Sequence, residues 1–155
     1  MTTSIRQQIV TQLDTLFKTI LTTGGYNLNL GSHVFWWRVT PLQIAELPAI
    51  VLKDTQDQTT RATGRQDQHA LTIEAVISIN SSDFGATARL AIADFIKALG
   101  TNVAPNTCLG GYASDIAPPD SETFEAEHEG IKGFGIAITF QVLYGTLRFD
   151  PYTAL

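Results

Sequence analysis

Residues 69–79 read HALTIEAVISI, and their alternation decides the fold. The odd positions Leu71, Ile73, Ala75, Ile77 and Ile79 are apolar, while the even ones include Thr72, Glu74 and Ser78. Successive side chains of a strand point to opposite sides, so this period of two predicts a strand with one buried and one wet face. Residues 131–144 repeat the pattern: Phe134, Ile136, Ile138, Phe140, Val142 and Tyr144 oppose Gly133, Gly135, Ala137, Thr139 and Gln141. Two further strands are predicted over His33–Val39 and Leu47–Lys53. Sheets covered on one side only are usually antiparallel, with helices gathered on the covered face.

Two segments carry helical spacing instead. From Ser4 to Thr23, the residues Ile5, Ile9, Leu13, Leu16, Phe17, Ile20 and Leu21 recur at threes and fours. Ser4 with Gln7 offers a capping box, and Gly24 with Gly25 a left-handed stop. A second helix is predicted over Phe84–Leu99, capped by Ser81, Ser82 or Asp83 and ended by Gly100. Between Thr101 and Gly130, where Pro105, Pro118 and Pro119 break the chain, only Tyr112–Ala117 and Glu122–Glu127 look extended, as a short hairpin or edge strands. The expected class is α+β: a mainly antiparallel sheet with two helices packed on one face.

The 155 residues, 44% hydrophobic, suffice for one domain over 1–155. Ten basic and fifteen acidic residues give a net charge of −5 without a basic cluster, which argues against salt-sensitive wrapping of nucleic acid. Cys108 is the only cysteine, so neither an intrachain disulfide nor a multi-cysteine metal site can form. No secretion signal is expected at Met1–Ser4 and no membrane span anywhere, so a cytosolic setting is expected.

Three segments look underused by a solitary globule. DTQDQTTRATGRQDQ, residues 54–68, has Ala62 as its only apolar side chain. Ordering it costs about 1 to 2 kcal/mol per residue in backbone entropy, so it is expected to be a mobile loop. It is either a solvated hairpin tip or a segment whose Arg61, Arg65, Asp54, Asp57 and Asp67 find partners on another subunit. The tail at 146–155 sets Leu147, Phe149, Tyr152 and Leu155 around Arg148, Asp150 and Pro151, and folds back or crosses to a neighbour. In Phe35-Trp36-Trp37, alternation sends Phe35 and Trp37 to one side and Trp36, with Val34, to the other. Core packing or an intersubunit contact would cover the second side.

Catalytic signals are few. His33, His69 and His128 lie in separate segments without metal-ligand spacing, and the run Glu122–Glu129 resembles the wet side of an edge strand more than a cation site. Cys108 has no neighbouring base in the sequence and is expected to fill space. Neither a nucleophile elbow nor a phosphate-binding glycine pattern can be written through the glycines. No catalytic, metal or cofactor-binding residue is expected, and the chain is not expected to be an enzyme.

The order of elements resembles the tail terminator proteins of long-tailed bacteriophages, the minor tail protein U type. The echoes are IRQQIVTQLDTLF (5–17), ELPAIVL (46–52), RQDQHALTIEAVIS (65–78) and ARLAIADFIKAL (88–99), with Gly133–Tyr144 as a weaker continuation. The resemblance implies a structural protein of the virion tail, assembled in the host bacterial cytoplasm. It would form a ring, expected to be hexameric, that caps the tail tube, stops its polymerisation and offers the surface for head joining. The implied partners are other copies of the chain, the tail tube protein and a head completion protein, with DNA passing through the lumen without specific binding. Arg61, Arg65, Trp36, Phe149 and Tyr152 are the expected interface residues. Two alternatives are a head completion or neck protein and, from a different class, a small metal-dependent or ligand-binding enzyme using the histidines with Glu125–Glu129.

Overall fold

The computed structural model describes residues 1–155. Its elements are α1 (Ile5–Lys18), β1 (Val34–Trp36), β2 (Ala49–Arg61), β3 (Gln66–Ile79), α2 (Phe84–Gly100), β4 (Asp115–Ile116), β5 (Asp120–His128), β6 (Ile131–Leu147) and β7 (Asp150–Ala154), an α+β fold. The seven strands make one sheet of order β1-β2-β3-β6, antiparallel except where β1 runs parallel to β2. The two alternating segments identified in the sequence are the centre of this sheet: β3 and β6 pair from Gln66 opposite Leu147 to Ile79 opposite Phe134. On its other side β6 is paired in relay by β5, β4 and β7.

The register puts the apolar residues of neighbouring strands side by side. Ile50, Ile77 and Ile136 form one row, and Leu52, Ala75 and Ile138 the next; all six are buried. Phe17 of α1 stacks on Phe95 of α2 at 4.6 Å, and both rings stand edge-on to Phe140 of β6, at 6.3 and 6.0 Å. These residues belong to one continuous core of α1, α2 and strand side chains. Each large side chain so buried contributes about 1.5 to 3 kcal/mol.

Local signals explain the element ends. Ser4 accepts the Gln7 amide at 3.2 Å and Asp83 accepts that of Ala86 at 3.3 Å, so each helix starts at a side-chain cap. The first helix is shorter than its spacing suggests, because the Thr19 hydroxyl donates to the Leu16 carbonyl at 2.6 Å and stops it at Lys18. The left-handed residue Gly25, at φ 87°, instead closes a 3-10 turn over Thr22–Gly24. The strand predicted over His33–Val39 is only Val34–Trp36, since Trp37 has φ 53°, outside the strand region. Gly135 is required where it stands: a Cβ there would lie 2.4 Å from the Phe124 ring, which covers it from β5. No helix is long and apolar enough to cross a membrane.

Residues 54–68 are not a mobile loop. They form the outer arms of the β2–β3 hairpin, with only Ala62–Arg65 left as its turn. Composition misled because a polar strand gains its order from backbone pairing rather than side-chain burial. Gln56–Arg61 pair with Thr72–Asp67, and β3 is flanked by β6 to its first residue, so the amide groups of β3 are satisfied on both sides and those of the β2 arm on its inner side. The tail also has a ladder of its own: β7 turns back on β6 through Leu147 opposite Asp150 and Thr146 opposite Ala154.

Candidate functional site: the hairpin tip and the C-terminal turn

The sheet face that carries the core changes character toward the hairpin tip. A bulge between Asp54 and Gln56 shifts the register of β2, so that Asp57, Thr59 and Arg61 lie beside Leu71, His69 and Asp67 of β3. Across β3, the β6 partners of those three residues are Val142, Tyr144 and Thr146. The row of Thr59, His69 and Tyr144 is polar and knit together. His69 Nδ1 lies 3.1 Å from the Thr59 hydroxyl and its Nε2 3.0 Å from that of Thr146. The imidazole stacks on the Tyr144 ring at 4.4 Å. The Tyr144 hydroxyl donates to Asp57 Oδ2 at 2.5 Å, while Asp57 Oδ1 is buried with His69 Nδ1 3.3 Å away. Burial, followed by the Asp57 carboxylate, pushes the Tyr144 phenol well above its ordinary range.

Beyond this network two turns touch. Arg148 donates its amide to the Arg65 carbonyl at 2.7 Å, and Phe149 donates its amide to Asp67 Oδ2 at 3.2 Å. These bonds tie the turn between β6 and β7 onto the turn between β2 and β3. A shallow depression of about 570 Å³ is lined by Arg65, Leu147, Arg148, Phe149 and Asp150. Asp150 is held below the usual carboxylate range by the Thr153 hydroxyl and then the Tyr152 amide, which fixes the start of β7.

Phe149 is the anomaly of this end. It is 87% exposed and holds φ 56°, a left-handed conformation that costs a side-chain-bearing residue about 1 to 2 kcal/mol and that glycine or asparagine usually fills. Strained residues of this kind cluster at functional positions. Arg148 lies over its ring at 4.9 Å.

The structure thus brings four of the five expected interface residues to one end. Arg61 and Arg65 are exposed at the hairpin tip, Phe149 stands beside Arg65, and Tyr152 is 53% exposed on β7. Trp36 lies elsewhere. It is half-buried against the core, and its indole donates to Asp14 Oδ1 at 3.2 Å. Trp37 is the exposed member of the pair and donates to Asp54 Oδ1 at 2.6 Å, because its φ breaks the alternation.

The other chemical candidates fall apart or into structural roles. His33 precedes β1, His69 sits within β3 and His128 ends β5, and no three His, Cys, Asp or Glu side chains gather as a metal-holding group. Burial raises the Cys108 thiol pKa. Glu46 is drawn below its ordinary value by the Arg38 guanidinium, which bonds it at 2.7 and 2.8 Å, and then by the Gln43 amide. Asp94, buried on α2, accepts the backbone amides of Asn27 and Leu28 and the Asn27 side chain. Its position within the apolar stripe, IADFI, is the one signal that could have exposed this clamp.

No protein-family model matches the chain, and no curated protein matches it.

Proposed function

We propose that the chain is a structural ring subunit, a phage tail terminator, that caps the tail tube, stops its growth and provides the head-joining surface. The observation that carries this reading is the convergence at one end of the sheet. There Arg61, Arg65, Arg148 and the strained, exposed Phe149 are presented on a paired hairpin and turn, with no core residue among them. A surface of that kind serves contact rather than chemistry. The element order that resembles tail terminators supports the same reading. The Phe17, Phe95 and Phe140 contact supports both helices lying on the one sheet face, leaving the other face and the sheet ends for neighbours and tube.

In this reading copies join head to tail, as a rotational ring requires, with DNA passing through the lumen. A head completion or neck protein would use the same ring geometry and remains the runner-up. Mass in solution against concentration, combined with metal analysis, tests the proposal. Ring-sized particles, or a monomer that assembles only on tail tubes, support it. A monomer at all concentrations that carries stoichiometric zinc or iron overturns it in favour of a small metalloenzyme.

A further inference from the structure

Resting on the ring reading above, we propose that the subunit contact is a polar head-to-tail joint. In it the arginine-bearing hairpin tip and Phe149 of one copy dock on the acidic edge strand β5 of the next.

The charges of this chain are sorted along β6. Arg6, Lys18 and Arg38 are each paired with a carboxylate; Arg61, Arg65 and Arg148 at the hairpin end form no ion pair, as is true of Lys53, Arg89, Lys97 and Lys132 elsewhere. The carboxylates beside the three arginines are engaged locally, Asp67 by the Phe149 amide and Asp150 by Thr153 and Tyr152. At the other end β5 and its turn carry Asp120, Glu122, Glu125, Glu127 and Glu129, all exposed. Lys132 is the only basic side chain in the strand opposite them. β5 pairs with Ile131–Thr139 and the tip flanks Leu147, so the two patches lie roughly 40 Å apart at about 3.4 Å per residue. Opposite signs at opposite ends of one molecule cannot meet within it and are complementary between copies, which is the heterologous geometry that closes rings.

Apolar surface accompanies both patches. Phe149 is 87% exposed at the basic end, and Phe124 and Ile131 are 38% and 57% exposed at the acidic end. β5 also pairs only with β6, so its outer edge offers unpaired backbone groups that an incoming chain can meet. The carboxylates bar apolar strands from that edge and admit a basic one.

Sedimentation velocity over a concentration series at low and high salt, on the full-length chain, tests the joint. Wild type should self-associate at low salt and weaken as salt rises. Arg65→Glu with Arg148→Glu should raise the midpoint concentration at least about ten-fold, and Glu122→Lys with Glu125→Lys should do the same. A chain carrying all four reversals should recover association, a rescue that misfolding cannot produce. Phe149→Gly, which relieves the strained φ, should weaken association while leaving the thermal midpoint equal or higher. Wild type that neither self-associates nor forms rings on tail tubes, tip variants that assemble as wild type does, or absence of rescue in the four-fold variant overturns the joint. So does a tip whose reversal changes only binding to a short DNA duplex. Tube capping by the same variants reports the ring reading separately: capping that persists while the charge reversals have no effect on association leaves the terminator standing and removes this joint.

Discussion

One face of the sheet holds two regions built on different physics. Around Ile136, Ile138 and Phe140 the neighbours supplied by β2, β3 and the helices are mainly hydrocarbon, with Thr123, Ser121 and Asp54 only at the borders of the rows. Around Tyr144 and Thr146, on the same strand and pointing the same way, the neighbours are Thr59, His69, Asp57 and Asp67. The first region is held by burial, which is strong and insensitive to pH. The second is held by hydrogen bonds, each worth only about 0.5 to 1.5 kcal/mol net but demanding in geometry. The polar network ties the hairpin tip to β6 through Asp57, Thr59, His69, Tyr144 and Thr146.

The sharpest way to break this contrast is Phe140→Ala, which removes the ring shared by both helices and should cost about 3 to 5 kcal/mol in urea unfolding. Asp94→Ala should follow, at about 1 to 3 kcal/mol, because the amides of Asn27 and Leu28 lose a buried, charged acceptor. In the polar region Tyr144→Phe should cost about 1 to 2 kcal/mol. It should also change the alkaline limb of stability. The Tyr144 phenol is raised in the folded chain above its ordinary value of 10.0, so the folded state holds that proton more tightly than the unfolded one. Its contribution is complete below pH 10 and is lost as pH rises above it. Unfolding measured from pH 8 upward should therefore show wild type losing stability above pH 10 and the variant losing less. The smallest effect is expected from Arg65→Ala, within about 0.5 kcal/mol of wild type, since an exposed unpaired charge does little for the monomer.

How much of this was legible in the sequence follows the same division. β3, β6, α1 and α2 could be read because their apolar side chains repeat at the period of the element. Asp54–Gln68 could not, because its strands are specified by partners distant in sequence: Gln66 meets Leu147 and Asp67 meets Thr146. The bulge after Asp54, which turns Asp57 and Thr59 onto the apolar face, leaves no compositional mark. Arg61, Arg65 and Phe149 were identifiable as residues with no use in a core, but their meeting depends on the Asp67 carboxylate and the Arg65 carbonyl accepting the Phe149 and Arg148 amides in the folded chain. Trp36, an expected interface residue, packs on the core instead, and Trp37, whose positive φ interrupts the alternation, is the exposed one.

In the proposed reading, copies of this 16.9 kDa chain act together as a cap on a tube. Electron microscopy of tail tubes polymerised from their cognate subunit, with and without the purified chain, tests it most directly. An added ring of density at one end of each tube and arrested growth are expected when the chain is present. Tubes that elongate equally in both samples, with bare ends, would contradict it.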